Sequence, residues 1–359
     1  MKINSLLKIV SLCAIVVLCS FFLSASTPVS AQARKAGNFS PRKVIIGTTM
    51  ERFPGIYPGL EKRLDQIAEL IDETARESER IYPGEGIDLI VLPEEVVTRD
   101  KGNTVVSKSA KLDGPVLDKM GAKAREYKTY LIVPMVLAED EQKGIYTNAA
   151  VLLDRAGNVA GIYRKVHTVA ALGSDVLEDG ITTGSEFPVF DCDFGRLGIQ
   201  ICFDMSYRDG WEVLGRKGAE IVAVPTMSPQ THRPAAYASH HRYYVVTGTP
   251  RNNAAIFNPL GMIDAQITEG RVLVHKIDLS YFILNWAANL RDGKLFGDTY
   301  GDRVGYTYYR SEDAGIFWSN DPKKPIDVMV RELGFSDIKD EYERVRKLQD
   351  NARGGPPER

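Results

Sequence analysis

The feature that most constrains this fold is an alternation: from Lys43 onward, short apolar β-rich runs take turns with segments whose apolar residues recur at helical spacing. Val44 to Thr49 reads as a strand. Leu60, Leu64, Ile67 and Ile71 then recur three or four apart, which gives a helix with one face to lay on a sheet. Ile87 to Leu92 is a buried strand ending at Pro93, Pro115 to Tyr127 a second helix, and Leu131 to Leu137, Ala149 to Leu153 and Val159 to Tyr163 three further strands. The turns at 154–158 and 193–196 join their flanking strands as hairpins, so the expected sheet is mixed rather than purely parallel. A helix over Trp211 to Lys217, a strand over Glu220 to Val224, a helix over Arg233 to Tyr244 and strands over Ala254 to Phe257, Met262 to Ile267 and Val272 to Ile277 complete the core. Beyond Ser280 an aromatic, Gly- and Asp-rich segment runs from Tyr281 through Trp318 and ends in a charged helix around Ile338, Tyr342 and Val345. Its irregularity suggests an extension that wraps the core or a partner subunit, not an independent domain.

The first thirty residues have a different character. Lys2 and Lys8 precede an apolar run from Ile9 to Leu23, and the small residues Val29 and Ala31 suggest cleavage before Gln32. This is the pattern of a secretory signal peptide over residues 1–31, so export to the periplasm or the medium is expected; the apolar run is short for a retained membrane anchor. Cleavage would remove Cys13 and Cys19 and leave Cys192 and Cys202 in an oxidising compartment, where a disulfide between them is the plain structural alternative. The formal charge of −2, without a clustered Lys/Arg stripe, argues against a nucleic-acid partner.

Three residues stand at the ends of β-runs. Glu94 follows an apolar strand and a proline, with Glu95 as an equally charged competitor; Lys165 ends Gly161-Ile162-Tyr163-Arg164-Lys165; Cys202 ends Gly198-Ile199-Gln200-Ile201 and precedes a turn and a helix. The C-terminal ends of strands are where α/β folds place their chemistry. A helix N-terminus after Cys202 is expected to lower the thiol's pKa and expose the sulfur. Singly each residue is bland: a surface carboxylate, a solvated lysine, an inert cysteine. An acid, a base and a nucleophile at three matching strand ends carry more weight together, and no Ser-centred elbow competes.

These residues lie in blocks that resemble the carbon-nitrogen hydrolase, or nitrilase, superfamily from about Lys43 to about Asp278. LPEE (92–95) resembles the block of the catalytic glutamate, GIYRKVH (161–167) that of the lysine, and FGRLGIQICFD (194–204) that of the nucleophile. YTNAAVLLDRAGNVAG, GAEIVAVPT and NPLG are also family-like. The resemblance implies a four-layer α-β-β-α sandwich with mixed sheets over residues 40–280, a C-terminal extension over 281–359, and assembly into homodimers or larger homo-oligomers. It implies a thioester on Cys202, Glu94 as general base and acid, and Lys165 with the Phe203 backbone N–H as the oxyanion site, without cofactor or metal. The family's second glutamate is harder to place, because Val169 to Ser174 is non-acidic; of the nearby acids, Glu178 is preferred over Asp175. Ser239-His240-His241-Arg242 departs from the family's pattern. A papain-like pairing of Cys202 with His240 or His241 would leave Glu94 and Lys165 unexplained. A metal site from His232, His240 and His241 lacks further ligands at recognisable spacing.

Phe203-Asp204 after the cysteine resembles amidase and carbamoylase versions more than nitrilases, so a small amide or ureido substrate is expected. The alternatives are nitrile hydrolysis or acyl transfer on the same scaffold, or a secreted binding protein that kept the fold. Trp286, Arg291 and Tyr300 of the extension are candidates for the pocket wall.

Overall fold

The computed structural model describes residues 39–170 and 172–358, so the expected signal peptide, Cys13 and Cys19 lie outside the described residues. The chain runs β1 (Lys43–Thr49), α1 (Leu60–Ile81), β2 (Leu89–Val91), α2 (Val105–Lys108), α3 (Pro115–Tyr127), β3 (Tyr130–Asp140), β4 (Ile145–Leu153) and β5 (Val159–Arg164). Its second half continues with β6 (Val189–Cys192), β7 (Gly195–Ile199), α4 (Arg208–Arg216), β8 (Ile221–Pro225), α5 (His232–His241), β9 (Tyr244–Gly248), β10 (Ala254–Phe257), β11 (Ile263–Ile267) and β12 (Val272–Asp278). Two six-stranded mixed sheets result, ordered β12-β1-β2-β3-β4-β5 and β11-β10-β9-β8-β7-β6.

The side-chain period of two explains the layering. Val44 and Ile46 of β1 join Leu89, Val91, Ile132 and Leu152 in a core shared with Leu197, Ile199, Val222 and Val245 of the second sheet. Ile45, Ile90, Leu131 and Val151 point the other way, into a core with Leu64, Ile67 and Ile71 of α1 and Met120 and Ala124 of α3. Trp211 and Leu214 of α4 and Ala238 of α5 cover the outer face of the second sheet. The architecture is therefore the four-layer α-β-β-α sandwich expected from the sequence. The two sheets touch near the ends of β1 and β9, where the Thr48 hydroxyl donates to the Thr247 carbonyl at 2.8 Å. Gly248 is required there, because a β-carbon would sit 3.0 Å from the carbonyl oxygens of both Val91 and Leu92.

One element differs from the sequence expectation. The helix predicted to run to Tyr244 stops at His241, and Tyr244 opens β9, a central strand of the second sheet. Arg242 makes the reversal in the left-handed region at φ +59° without any glycine or proline to announce it.

The extension is more regular than its composition suggests. It holds β13 (Tyr281–Asn285), α6 (Lys294–Tyr300), β14 (Val304–Tyr309), β15 (Ala314–Ser319), α7 (Ile326–Glu332) and α8 (Ile338–Arg353), with an antiparallel sheet ordered β13-β15-β14. One face of that sheet packs Leu284 and Phe317 on Phe296, Met329 and Val330. The other lays Ile283 and Ile316 against the main core. Among the described residues, no helix is long and apolar enough to cross a membrane.

Candidate active site

Glu94 stands three residues beyond β2 and is 2% exposed. Its Oε1 accepts from Lys165 Nζ at 2.9 Å and from Asn148 Nδ2 at 3.0 Å, and its Oε2 accepts from the Met227 backbone N–H at 3.0 Å. Lys165 follows β5 directly, anchored by its backbone N–H to the Asn148 carbonyl at 2.9 Å. The same ammonium donates to Glu178 Oε1 at 2.5 Å, and Asn148 Nδ2 reaches Glu178 Oε2 at 3.2 Å. Lys165 and Asn148 thus each bridge the two carboxylates. Of the two acids the sequence offered for the second glutamate position, the one that meets the lysine is Glu178. The Val169 N–H, donating to Glu178 Oε1 at 3.0 Å, fixes it further.

Cys202 begins a 3₁₀ turn, Cys202–Ser206, and holds φ +44°, a left-handed conformation rare outside glycine. Such a residue projects its side chain out of the strand-to-turn path, and here the thiol meets Glu94, the Thr226 side chain and the Met227 amide. Phe203 is second in the turn, where backbone N–H groups have no acceptor inside a helical turn. Asp204 holds the bend. Its Oδ2 accepts from the Ile201 N–H at 2.9 Å and the Tyr163 hydroxyl at 2.7 Å, and its Oδ1 accepts from the His167 N–H at 2.8 Å. Tyr163 and His167 flank Lys165, so one carboxylate ties the cysteine turn to the lysine segment. Both ring nitrogens of His167 face carboxylates, Asp204 at 3.0 Å and Asp209 at 3.2 Å; the hydrogen bond that Asp204 accepts, with the charges of both, raises the imidazole's pKa. Replacing Asp204 with alanine leaves buried donors on Ile201 and Tyr163 without an acceptor, which costs about 2–4 kcal/mol. Urea unfolding should show that loss as a lower midpoint at unchanged slope.

The electrostatics correct one expectation. Burial and the adjacent Glu94 charge push the Cys202 thiol up to about 12, whereas a helix N-terminus was expected to lower it. Only the short 3₁₀ turn follows the cysteine directly, and α4 begins six residues later. For Glu94, burial alone would raise the carboxyl; the Lys165 charge and the hydrogen bonds of Lys165, Cys202 and Asn148 outweigh it and hold the group below the ordinary carboxylate range. Burial likewise opposes the Lys165 ammonium, but Glu94 and Glu178 carry its pKa above the usual value. At neutral pH the centre is a neutral thiol, a carboxylate base and an ammonium.

The other candidates lie elsewhere. Glu95 holds φ +53° and makes no hydrogen bond to Lys165. Cys192 and Cys202 are both free thiols. His241 stacks between Tyr237 and Tyr243, and burial lowers it to about 4. Among the described residues, no three His, Cys, Asp or Glu side chains cluster as metal ligands would. Tyr300 donates to the Met329 carbonyl and Glu332, and Arg291 pairs with Asp298, so both serve the extension's own packing. Asn148 was not singled out in the sequence, although a buried asparagine preceding the apolar run Ala149 to Leu153 is itself a signal that a polar partner waits inside.

Comparison with known proteins agrees with this architecture. A Schizosaccharomyces pombe protein described as a probable nitrilase is 28% identical over 141 residues, which is 39% of this chain and 50% of that protein. The chain therefore spans half the length of that relative. Human omega-amidase NIT2 is 24% identical over 217 residues, covering 54% of this chain and 78% of the human one. The crystal structure of a carbon-nitrogen hydrolase from Helicobacter pylori G27 superposes with a TM-score of 0.56 at 18% identity, over 66% of this chain and 90% of that one, a likeness of fold. The profile of the family described as carbon-nitrogen hydrolase matches residues 54–283, which include Glu94, Lys165, Glu178 and Cys202, and the chain belongs to that family.

Proposed function

We propose that the protein hydrolyses a small non-peptide amide or N-carbamoyl compound through a thioester on Cys202. An amide carbonyl is a poor electrophile, so the reaction needs a deprotonated sulfur, a site for the oxyanion and a proton for the departing nitrogen. Glu94 takes the Cys202 proton as the sulfur attacks the carbonyl carbon. The oxyanion forms beside the Lys165 ammonium and the Phe203 N–H. Glu94 returns the proton to the nitrogen, the C–N bond breaks, and ammonia or an amine leaves. Water then enters, Glu94 takes one of its protons, and hydroxide attack on the thioester releases the acid and restores the thiol. Glu178 and Asn148 hold the lysine and the base in register.

The observation that carries this reading is the ammonium of Lys165 clamped between two carboxylates, one of which also meets the thiol of a residue at φ +44°. The amide preference draws support from the relative described as an omega-amidase.

The test is a pH profile of kcat/KM with an uncharged amide. Glu94 acts as the ionised base, and its pKa lies below the ordinary carboxylate value, so activity should fall only below about pH 4.5. The thiol must be protonated beforehand to donate to Glu94, and its value of about 12 keeps the profile flat through pH 9. A histidine base would instead give an acid limb near pH 6.5. Such a limb would reject Glu94 as the base.

A further inference from the structure

Beside the cluster just described lies a cavity of about 100 Å³, walled by Glu95, Lys108, Glu178 and Asp179 with Val105 and Ile181. Glu178 belongs to both places: its carboxylate holds Lys165, and its side chain forms part of the cavity wall. The cations near Glu95 donate their hydrogen bonds to other groups, and the Nε of the buried Arg99, whose charge Glu95 also feels, has no hydrogen-bond partner among the described residues. Lys108 donates to Asp179 at 2.6 Å, Lys165 to Glu94 and Glu178, and the Arg99 guanidinium to the Glu94 carbonyl. Among the described residues, none of them forms a hydrogen bond or ion pair with the Glu95 carboxylate, which lines the cavity without a partner. The Glu95 carbonyl, meanwhile, accepts from the Thr98 and Arg99 N–H groups while the residue is held at φ +53°.

A carboxylate that lines a cavity without a hydrogen-bond partner, on a backbone held in a rare conformation, is hard to keep ionised, and it gains most from a cation that arrives to pair it. An anion is the wrong partner, because the one lysine of the cavity is committed to Asp179 and the other charges on the wall are negative. We infer that this cavity is a substrate subsite in which Glu95 is the counter-ion for a protonated nitrogen on the amide or N-carbamoyl substrate. The inference rests on the hydrolase reading above and extends it to substrate class: a short chain with the scissile carbonyl at Cys202 and an ammonium or amidinium group beyond Glu178.

The groups facing Glu95 are Glu94, Glu178, Lys108, Lys165 and Arg99. Burial and the Glu94 charge raise the Glu95 carboxyl to about 7, with Glu178 adding to the rise and Lys108 and Lys165 opposing it. The subsite should therefore gain affinity for a cation as pH rises through neutrality. A site built around a charged hydrogen-bonding partner also rejects the isostere that lacks it.

The test compares the ω-amino amides of pentanoic and hexanoic acid with hexanamide and heptanamide, in which a methyl replaces the ammonium. At pH 8 the ratio of kcat/KM, amino over methyl, should be tenfold or more in the better-fitting pair, and it should drop severalfold at pH 6. In Glu95→Gln the ratio should lie within about twofold of one and lose its pH dependence. A ratio near one in the wild-type protein for both pairs overturns the inference, as does a ratio preserved in folded Glu95→Gln. If that variant does not fold, the wild-type pH step decides alone. If neither these amides nor the matching N-carbamoyl amines are turned over, the hydrolase reading fails, and calorimetry with the same pairs on Cys202→Ala still decides the subsite: at least tenfold tighter binding of the ammonium chain supports it, and equal binding refutes it.

Discussion

Cys202→Ala is expected to remove turnover, by about 10⁴-fold or more in kcat, while leaving the fold in place. Its thiol is the group that meets Glu94, and in the proposed mechanism it is the atom that carries the acyl group. Its stability contribution is small. The thiol is neutral, the φ of +44° costs alanine about what it costs cysteine, and the turn is held by Asp204 instead. Melting should therefore change by an amount worth about 1 kcal/mol. The complementary measurement is a mass spectrum of the wild-type protein quenched with acid during turnover of a slow amide. It should show the acyl group, the substrate less its departing amine, on the peptide that contains Cys202. An alanine variant that still releases ammonia at the wild-type rate would sink the thioester mechanism.

The second large effect is on Lys165, and it falls on stability as well as chemistry. Lys165→Met removes the proposed oxyanion donor and should lower kcat by at least about 10³-fold. It also leaves the buried Glu94 without its countercharge and Glu178 without its ammonium, and breaking one side of a buried ion pair costs roughly 3–5 kcal/mol. The sign of the pH dependence distinguishes this from a mere packing defect. In the wild-type protein Glu94 sits below its unfolded value, so its contribution is present above that value and is lost as pH falls through the folded one. Without the lysine, burial dominates and the folded carboxyl rises, so the variant loses stability as pH rises instead. The stability gap between the two proteins should be widest near pH 7.5 and narrow toward pH 4, measured by urea unfolding across that range. A gap that stays constant would mean the lysine acts through packing.

Glu94, Lys165 and Cys202 were singled out in the sequence as strand-end residues within family-like blocks, because strand ends are local features of a chain, and the structure brings the three side chains together. Glu178 was only one of two acids after the lysine; nothing in the sequence could choose it, since the choice depends on how the 169–178 segment folds back to put Glu178 Oε1 on Lys165 Nζ. The same limit explains the thiol. A strand, turn and helix pattern suggests a lowered pKa, but the sheet packing that buries Cys202 against Glu94 is long-range, and it reverses the direction. Strand β9 escaped notice because Tyr244 to Gly248 follows a helix through a single left-handed arginine, with no turn residue between. The extension's sheet escaped because β14 and β15 face two different cores, the main one and their own, which blurs the period of two.

What the sequence by itself determined is the succession of strands and helices and the identity of the groups at the strand ends, because hydrophobic periodicity and strand termination are encoded within a few neighbouring residues, while the four-layer stacking was expected only from the resemblance of its blocks to the family. What only the tertiary structure decided is the charge state of the site and the company each group keeps: Asn148 spanning two glutamates, the thiol held neutral, Asp204 tying turn to lysine, and Glu95 turned into a cavity with no partner. Those properties depend on desolvation and on distances between residues tens of positions apart, and they exist only once both sheets are packed.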